Sequence, residues 1–531
     1  MNTDLPSRNP RLMNAEMRAS HRLASATAIL FLLLLWMPVV LLGHSAVISG
    51  ERYWWLGDDA MISMRYAHNL ANGQGFVWNP GERVEGYSNF LWTLYMAAVH
   101  LLPVPISKIS IVILITDLLL AAAIIPYLVR LIQLLGGGTA VIVATLTAYV
   151  LNSNLLFWTA SGFEVLFLSF LFLFAMVRIL EEARQNQPRL PTFFVVAALS
   201  LVRADSAILS GLLYALALLL YKQQRRKILL FSAISLIMPI LHELFRIIYY
   251  HDILPNTAYL KVTNWNGRIS YGLVYVGEFI RQYRFLLAFG LMGTLLAGKY
   301  LQRVLALVFL FYSAYIAYVG GDAFRDFRFF IPVLPLLFIL SFLSIYQLFS
   351  KNSVRIAFLL LAVATTPLVV PDYREALLPA NSEIGNIRIA LLLKQNTAPS
   401  AKVADFWAGQ VFYFSERPAI DLLGKSDRYI ARLTARPEAA KPGHNKYDFD
   451  YSLGTLRADY VIAMFRLPVN RNEMIRKARG DLAFTGQLYL NPTFQQHCFE
   501  NPVLAETWRT IFVCDWSPEL EKRKNWQPLP E

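Results

Sequence analysis

Residues 25–47 read SATAILFLLLLWMPVVLLGHSAV and follow Arg8, Arg11, Arg18 and Arg22. The run exceeds the roughly 7–15 apolar residues of a signal-peptide core. It reaches the roughly 20 that a crossing helix needs. It reads as an uncleaved first membrane span with the basic N-terminus on the cytoplasmic side. Further apolar runs lie near 106–131, 139–157, 163–180, 190–202, 206–221, 228–249, 284–298, 304–319, 328–348 and 355–371. The expected total is about eleven spans. Under that count the clusters Glu181 to Arg189, Lys222 to Lys227, Lys299 to Arg303 and Lys351 to Arg355 all fall on the cytoplasmic face, as the positive-inside rule requires. An odd number of spans carries the tail outside. The shorter run Phe90 to Leu102 is read as a juxtamembrane or re-entrant helix and not as a crossing.

Composition agrees. The 531 residues are 56% hydrophobic and 16% charged, with a mean hydropathy of +0.43. Soluble domains are about 45–50% apolar and about 25% charged. A soluble enzyme, a disordered chain and a small disulfide framework are thereby excluded. The net charge is 49 − 36 = +13. From Asp372 onward, 21 Lys and Arg face 19 Asp and Glu, so the first 371 residues carry the other +11. Those charges sit in short clusters at the ends of apolar runs. That is a membrane pattern, not the basic face of a nucleic-acid-binding domain.

The expected fold is therefore mainly α: a multispanning module over residues 1–371, with a first outer loop at 48–105, and a C-terminal α/β domain over 372–531. In the tail, Val403 to Phe406, Tyr460 to Phe465 and Thr510 to Cys514 read as strands. Stretches near Arg388 and from Arg471 to Arg479 read as helices. Both cysteines, Cys498 and Cys514, lie there. A pair of cysteines in an exported domain predicts a disulfide; the alternative is two small core residues.

With this topology the unusual polar sequences share the outer face. They are Gly57-Asp58-Asp59 through Arg65-Tyr66, Trp78 to Asn89 with Glu85, Ser161-Gly162-Phe163-Glu164, and Arg203-Ala204-Asp205. Tyr250-His251-Asp252, Pro255-Asn256-Thr257 with Lys261, and Gly320-Gly321-Asp322 through Arg325 to Arg328 complete the set. Ionisable groups at membrane depth are costly and mark cavities or pathways. Groups from five outer loops at one depth predict a shared polar cavity. Helical spacing puts Asp58, Ile62, Arg65 and Asn69 on one face, with Asp59, Ser63 and Tyr66 on the next. One of the two aspartates suits a general base acting on a hydroxyl, while Arg and Lys groups suit a phosphate. Arg325 and Arg328, read as one helical turn apart, fit that grip.

Each motif also has a plainer reading. Asp58 serves as a helix N-cap and Asp59 as a partner of the helix dipole. Glu164 caps a span, Arg203 snorkels, and Gly320-Gly321 makes a turn. A divalent ion at Asp58 or Asp59 is left open, although no residues show metal-ligand spacing. In the tail, Asp405, Asp421 within Ile420 to Gly424, and His444 within Lys441 to Lys446 read either as acceptor contacts or as turn chemistry.

Taken in order, these motifs resemble the polyprenyl-phosphate-dependent membrane glycosyltransferases of the GT-C superfamily. Within it, the chain most resembles the terminal arabinofuranosyltransferase-like proteins of bacterial cell envelopes. The resemblance runs from the first loop into the tail. It implies a multi-pass protein of the bacterial cytoplasmic (inner) membrane, with a periplasmic tail and catalysis at the outer face. It also implies a lipid-linked phosphosugar donor and a first-loop acid, Asp58 or Asp59, as base. Arg65, Tyr66, Glu85, Arg203, Asn256, Lys261, Asp322, Arg325 and Arg328 are then expected at the donor phosphate or sugar. Glu164, His251, Asp405, Asp421 and His444 are expected at the acceptor or cavity. The acceptor would be an envelope glycan or glycolipid, with membrane lipid as surroundings and no nucleic acid. The third loop departs from the pattern: Ala204 and Asp205 stand where Pro and Glu are usual, and this leaves the sugar open. A protein-directed hexose transferase and a lipid transporter are the alternatives.

Overall fold

The computed structural model describes residues 10–324, 326–369, 371, 373–436, 441–464, 483–505 and 509–530. Of the described residues, 66% are helical. The helix α1 (Pro10–Pro38) runs on through a wider turn to Gly43. The expected span was longer: the chain leaves the helix there and forms a hairpin, β1 (Ser45–Ile48) against β2 (Glu51–Trp54). The turn is Ser49-Gly50, both at positive φ, the conformation that two-residue hairpin loops require.

The first loop then holds α2 (Asp58–Ala71) packed on α3 (Phe90–His100). Next come α4 (Ile109–Leu134), α5 (Thr139–Leu151), α6 (Ser153–Thr159), α7 (Val165–Arg184), α8 (Leu190–Val202) and α9 (Ala207–Leu220). The expected run 139–157 is broken at Asn152. This residue is extended and accepts a hydrogen bond from the Leu155 amide, capping α6. The pair α10 (Arg225–Ser235) and α11 (Ile237–Tyr250) forms one long apolar rod, followed by the short α12 (Asn256–Val262). The remaining helices of the bundle are α13 (Arg268–Gln282), α14 (Arg284–Leu287), α15 (Thr294–Ala297), α16 (Tyr300–Val319), α17 (Leu334–Leu348) and α18 (Asn352–Ala364).

By length and composition, four described helices are able to cross a membrane: Ala19–Gly43, Ile109–Leu134, Lys222–Tyr250 and Tyr300–Val319. Seven shorter apolar helices accompany them. The expected run 328–348 does not start as a helix. Phe327 is left-handed and Arg328–Phe330 is a single tight turn before α17.

Beyond the bundle, α19 (Tyr373–Ala376) and α20 (Asn381–Asn396) lead to a five-stranded mixed sheet. Its strands are β3 (Val403–Asp405), β4 (Ala419–Asp421), β5 (Tyr460–Ala463), β6 (Cys498–Ala505) and β7 (Thr510–Cys514). The order is β4-β3-β5-β7-β6, with β3 parallel to β4 and β5, and β7 antiparallel to β5 and β6. The helices α21 (Gln410–Ser415), α22 (Arg428–Arg432), α23 (Ala483–Leu490) and α24 (Pro492–His497) surround it. Cys498 and Cys514 face each other across β6 and β7 and form a disulfide. Two of these strands escaped the sequence reading: β4 is three residues long, and β6 contains Pro502, which argues against a strand. The helix expected at Arg471 to Arg479 lies outside the described residues.

Candidate active site

Asp58 and Asp59 open α2, but neither is its N-cap; that position is Gly57 and makes no side-chain bond. Both carboxylates sit in the first turn, where the helix dipole favours negative charge. One residue of offset sends them to different places. Asp59 lines an inner cavity of about 150 Å³ together with Ser63, Glu164, Arg203, Lys261, Arg328 and Lys425. That is about the volume a single ring fills. Asp58 turns towards the tail, where its Oδ1 accepts the Gln410 amide at 2.9 Å. Its Oδ2 is buried without a hydrogen-bond partner among the described residues. The approach is close: a Cβ on Gly409 would stand 1.8 Å from the Asp58 carbonyl oxygen.

The cations around Asp59 come from distant segments. Lys425 Nζ donates to Asp59 Oδ1 at 2.7 Å. Lys261 reaches the cavity from α12 and has no ion pair or hydrogen bond among the described residues. Arg328 is gripped by Asp322 at 2.8 Å and stands among the rings of Trp158, Phe163 and Phe324. Arg203 is committed to Glu164 at 2.6 Å and to both oxygens of Asp205 at 2.9 and 2.7 Å. Asn89 donates to Glu164 at 2.8 Å and accepts from Ser63, tying the cavity floor to α2.

The two neighbouring acids titrate apart. Burial raises Asp58 to about 6, only partly offset by Lys425. Burial also opposes charge on Asp59, but Lys425 and Lys261 outweigh it and hold this carboxyl well below the usual range. Burial pulls the Lys261 ammonium down and Arg328 adds to that. Lys425 is also buried, yet Asp59 and Asp58 raise it.

Lys425 is the residue the sequence reading missed; the motif singled out there ends at Gly424. No local signal marks it, because its partner is 366 positions away. What delivers it is legible only in the fold. Asp421 accepts the backbone amides of Leu423, Gly424 and Ser426 and so folds the turn that presents Lys425. Asn256 is buried and donates to the carbonyls of Gly424, Lys425 and Asp427, each at 3.0 Å. Lys446 donates to the carbonyls of Tyr259, Thr263 and Ala431. The turn with Lys425 and the helix with Lys261 are therefore fastened to each other from both ends.

Other expected site residues sit away from the inner cavity. Arg65 spends its guanidinium on the carbonyls of Trp78, Phe412 and Arg417 and on Asn79. Tyr66 donates to the Val84 carbonyl and accepts from the Gly86 amide. Glu85 is buried against Arg246 at 2.5 Å, and burial lifts it to about 7. Asp405 pairs with Arg509 inside the tail. His251 is exposed at the left-handed end of α11 and does not line the inner cavity. His444 lies beside the tilted ring of Phe484, with its Nδ1 3.2 Å from the carbonyl of Pro442, which lines the cavity. Arg325 lies outside the described residues. Phe327, next to Arg328, is left-handed. The described residues hold no group of three acidic, histidine or cysteine side chains able to share an ion, and Lys425 already supplies the positive charge beside Asp59.

Solved structures share this architecture. ArnT from Cupriavidus metallidurans bound to undecaprenyl phosphate matches with a TM-score of 0.51 at 10% identity, over 92% of this chain and 97% of that one. The archaeal oligosaccharyltransferase AglB from Archaeoglobus fulgidus, in complex with an inhibitory peptide and a dolichol-phosphate, also matches at 0.51 and 10%, over 93% and 74%. The chain shares the fold of these two structures. Residues 374–517 match a domain of unknown function, DUF8728. In sequence, the chain is 29% identical over 273 residues to the terminal beta-(1->2)-arabinofuranosyltransferase of Mycobacterium tuberculosis (strain ATCC 25618 / H37Rv). That match spans 47% of this chain and only 41% of the relative.

Proposed function

We propose that this GT-C chain transfers a sugar from a polyprenyl-phosphate donor to an envelope glycan or glycolipid at the outer face of the bacterial cytoplasmic membrane. The reading takes about eleven spans, a cytoplasmic N-terminus and a periplasmic α/β tail over 372–531. The observation that carries it is one carboxylate, Asp59, sharing a ring-sized cavity with the cations Lys425, Lys261 and Arg328. The lipid phosphates named for ArnT and AglB, and the transferase named as the sequence relative, support it.

In the proposed reaction the acceptor hydroxyl oxygen attacks the anomeric carbon of the donor. Asp59 takes the hydroxyl proton, and the bond from the anomeric carbon to the phosphate oxygen breaks. The leaving lipid phosphate gains a negative charge, which Lys261, Lys425 and Arg328 neutralise; donors already aimed at developing charge lower the barrier. The same cations suppress the basicity of Asp59 before the donor binds. A bound phosphate competes for Lys425 and Lys261 and so raises the proton affinity of Asp59 when the base is needed. The test is transfer from a purified polyprenyl-phosphate sugar by the reconstituted chain. Asp59→Asn, normally expressed and folded, should lose about 10²–10⁴-fold in turnover. Retained transfer by that variant would remove Asp59 from the mechanism.

A further inference from the structure

On the other side of α2 from the inner cavity lies a groove of about 900 Å³. Asp59, Ile62 and Ser63 face the inner cavity, whereas Arg65, His68 and Asn69 face the groove. The partition is thin. Lys425 and Gly86 line the inner side, while Ser426, the residue after Lys425, and Val84, two residues before Gly86, line the outer.

The groove's chemistry is mixed and nearly balanced. Glu82, Glu416, Asp421 and Asp427 line it together with Arg65, Arg83, Lys402, Arg428 and Arg432. Several of these charges are spent within the protein. Asp421 holds the Lys425 turn, Arg83 lies over Tyr249, and Arg428 and Arg432 both pair with Asp252. What remains for a ligand is a set of planar polar groups beside two tyrosine rings. Tyr429 and Tyr451 have centroids 4.3 Å apart, and Tyr429 is 46% exposed. The mixed charges offer a polyanion no continuous positive surface, and an apolar lipid would meet charged walls. A neutral polyhydroxyl chain fits: its hydroxyls both donate and accept, and its ring faces lie on tyrosine.

We propose that this groove is a second glycan-binding site, holding sugars of an acceptor or product chain that are not themselves reacting. The proposal rests on the glycosyltransferase reading and deepens it. The site favours a polymeric glycan over a short glycolipid headgroup.

The test is binding of linear neutral oligosaccharides, a hexa-arabinofuranoside and a maltohexaose, by the full-length protein in nanodiscs, alongside the corresponding disaccharides. At least one hexasaccharide should bind more tightly than its disaccharide. Tyr429→Ala should weaken it roughly tenfold, the scale of one aromatic contact, and Glu82→Gln by about the same factor, the scale of one hydrogen bond to a charged group. Tyr429→Phe, which keeps the ring, should bind like the wild type. Neither hexasaccharide binding at millimolar concentration, or binding indifferent to Tyr429→Ala and Glu82→Gln, would overturn the proposal. Tight, groove-dependent binding by a chain that transfers no sugar would instead retire the transferase reading and keep the groove.

Discussion

At the scale of single residues, the informative contrast is between two adjacent acids. Asp59 faces cations in the inner cavity, whereas Asp58 is buried against the tail with one oxygen unpartnered. Asp58→Asn should therefore cost less turnover than Asp59→Asn, and its main effect should be on stability. Folding raises the Asp58 carboxyl from 3.8 to about 6. Its contribution is complete below about pH 4 and lost as pH rises through about 6. Melting curves of Asp58→Asn should coincide with wild type near pH 4 and lie above it near pH 8, by roughly 1–3 kcal/mol. Lys425 acts with the opposite sign, because it holds Asp59 ionised. Lys425→Met should lower turnover and move the acid limb of the rate–pH profile upward by about one unit or more. An unmoved acid limb would show that the ion pair does not govern the base.

At the scale of elements, two joints decide whether the site forms. One is the contact of the α2 N-terminus with the turn before α21. Gly409 has no side chain to collide with the Asp58 carbonyl. Gly409→Ala has to push the two apart, breaking the Gln410 to Asp58 hydrogen bond. Protease digestion should cut the tail of this variant faster than that of wild type, while the bundle stays intact. The other is the β6–β7 pair with its disulfide, which closes 16 residues of separation. Replacing Cys498 and Cys514 by serine should destabilise the tail by about 2–3 kcal/mol on the loop-entropy scale. A melting curve under oxidising conditions checks this. Activity at low temperature should survive, because neither cysteine lines the inner cavity.

At the scale of the whole molecule, the reading predicts sides. Single cysteines at Glu181, Asp322 and His444 should react differently with a membrane-impermeant reagent in intact cells. Positions 322 and 444 should label from outside, and position 181 only after the membrane is breached. Cytoplasmic labelling at 444 would move the tail and the proposed chemistry to the other face. Arg130 and Arg178 both pair with Glu181, and Arg178 with Glu182. The charged end of α7 is thus a self-contained cluster, and the Glu181 substitution leaves the other pair of Arg178 in place.

Apolar run length and the position of basic clusters were enough to read a helical membrane protein, because bilayer thickness and backbone desolvation act on each segment separately. The paired acids of the first loop were legible for a similar reason, since a buried charge must be accounted for wherever it sits. The hairpin after α1, the break at Asn152 and the left-handed Phe327 were not legible, because turn conformation and neighbours override apolar run length. Tertiary structure alone separated Asp59 from Asp58 and brought Lys425 to Asp59. It also committed Arg65, Tyr66 and Glu85 to holding the first loop. Those outcomes depend on which surfaces pack together across hundreds of residues, and an ion pair of that kind leaves no periodicity or local spacing in the chain.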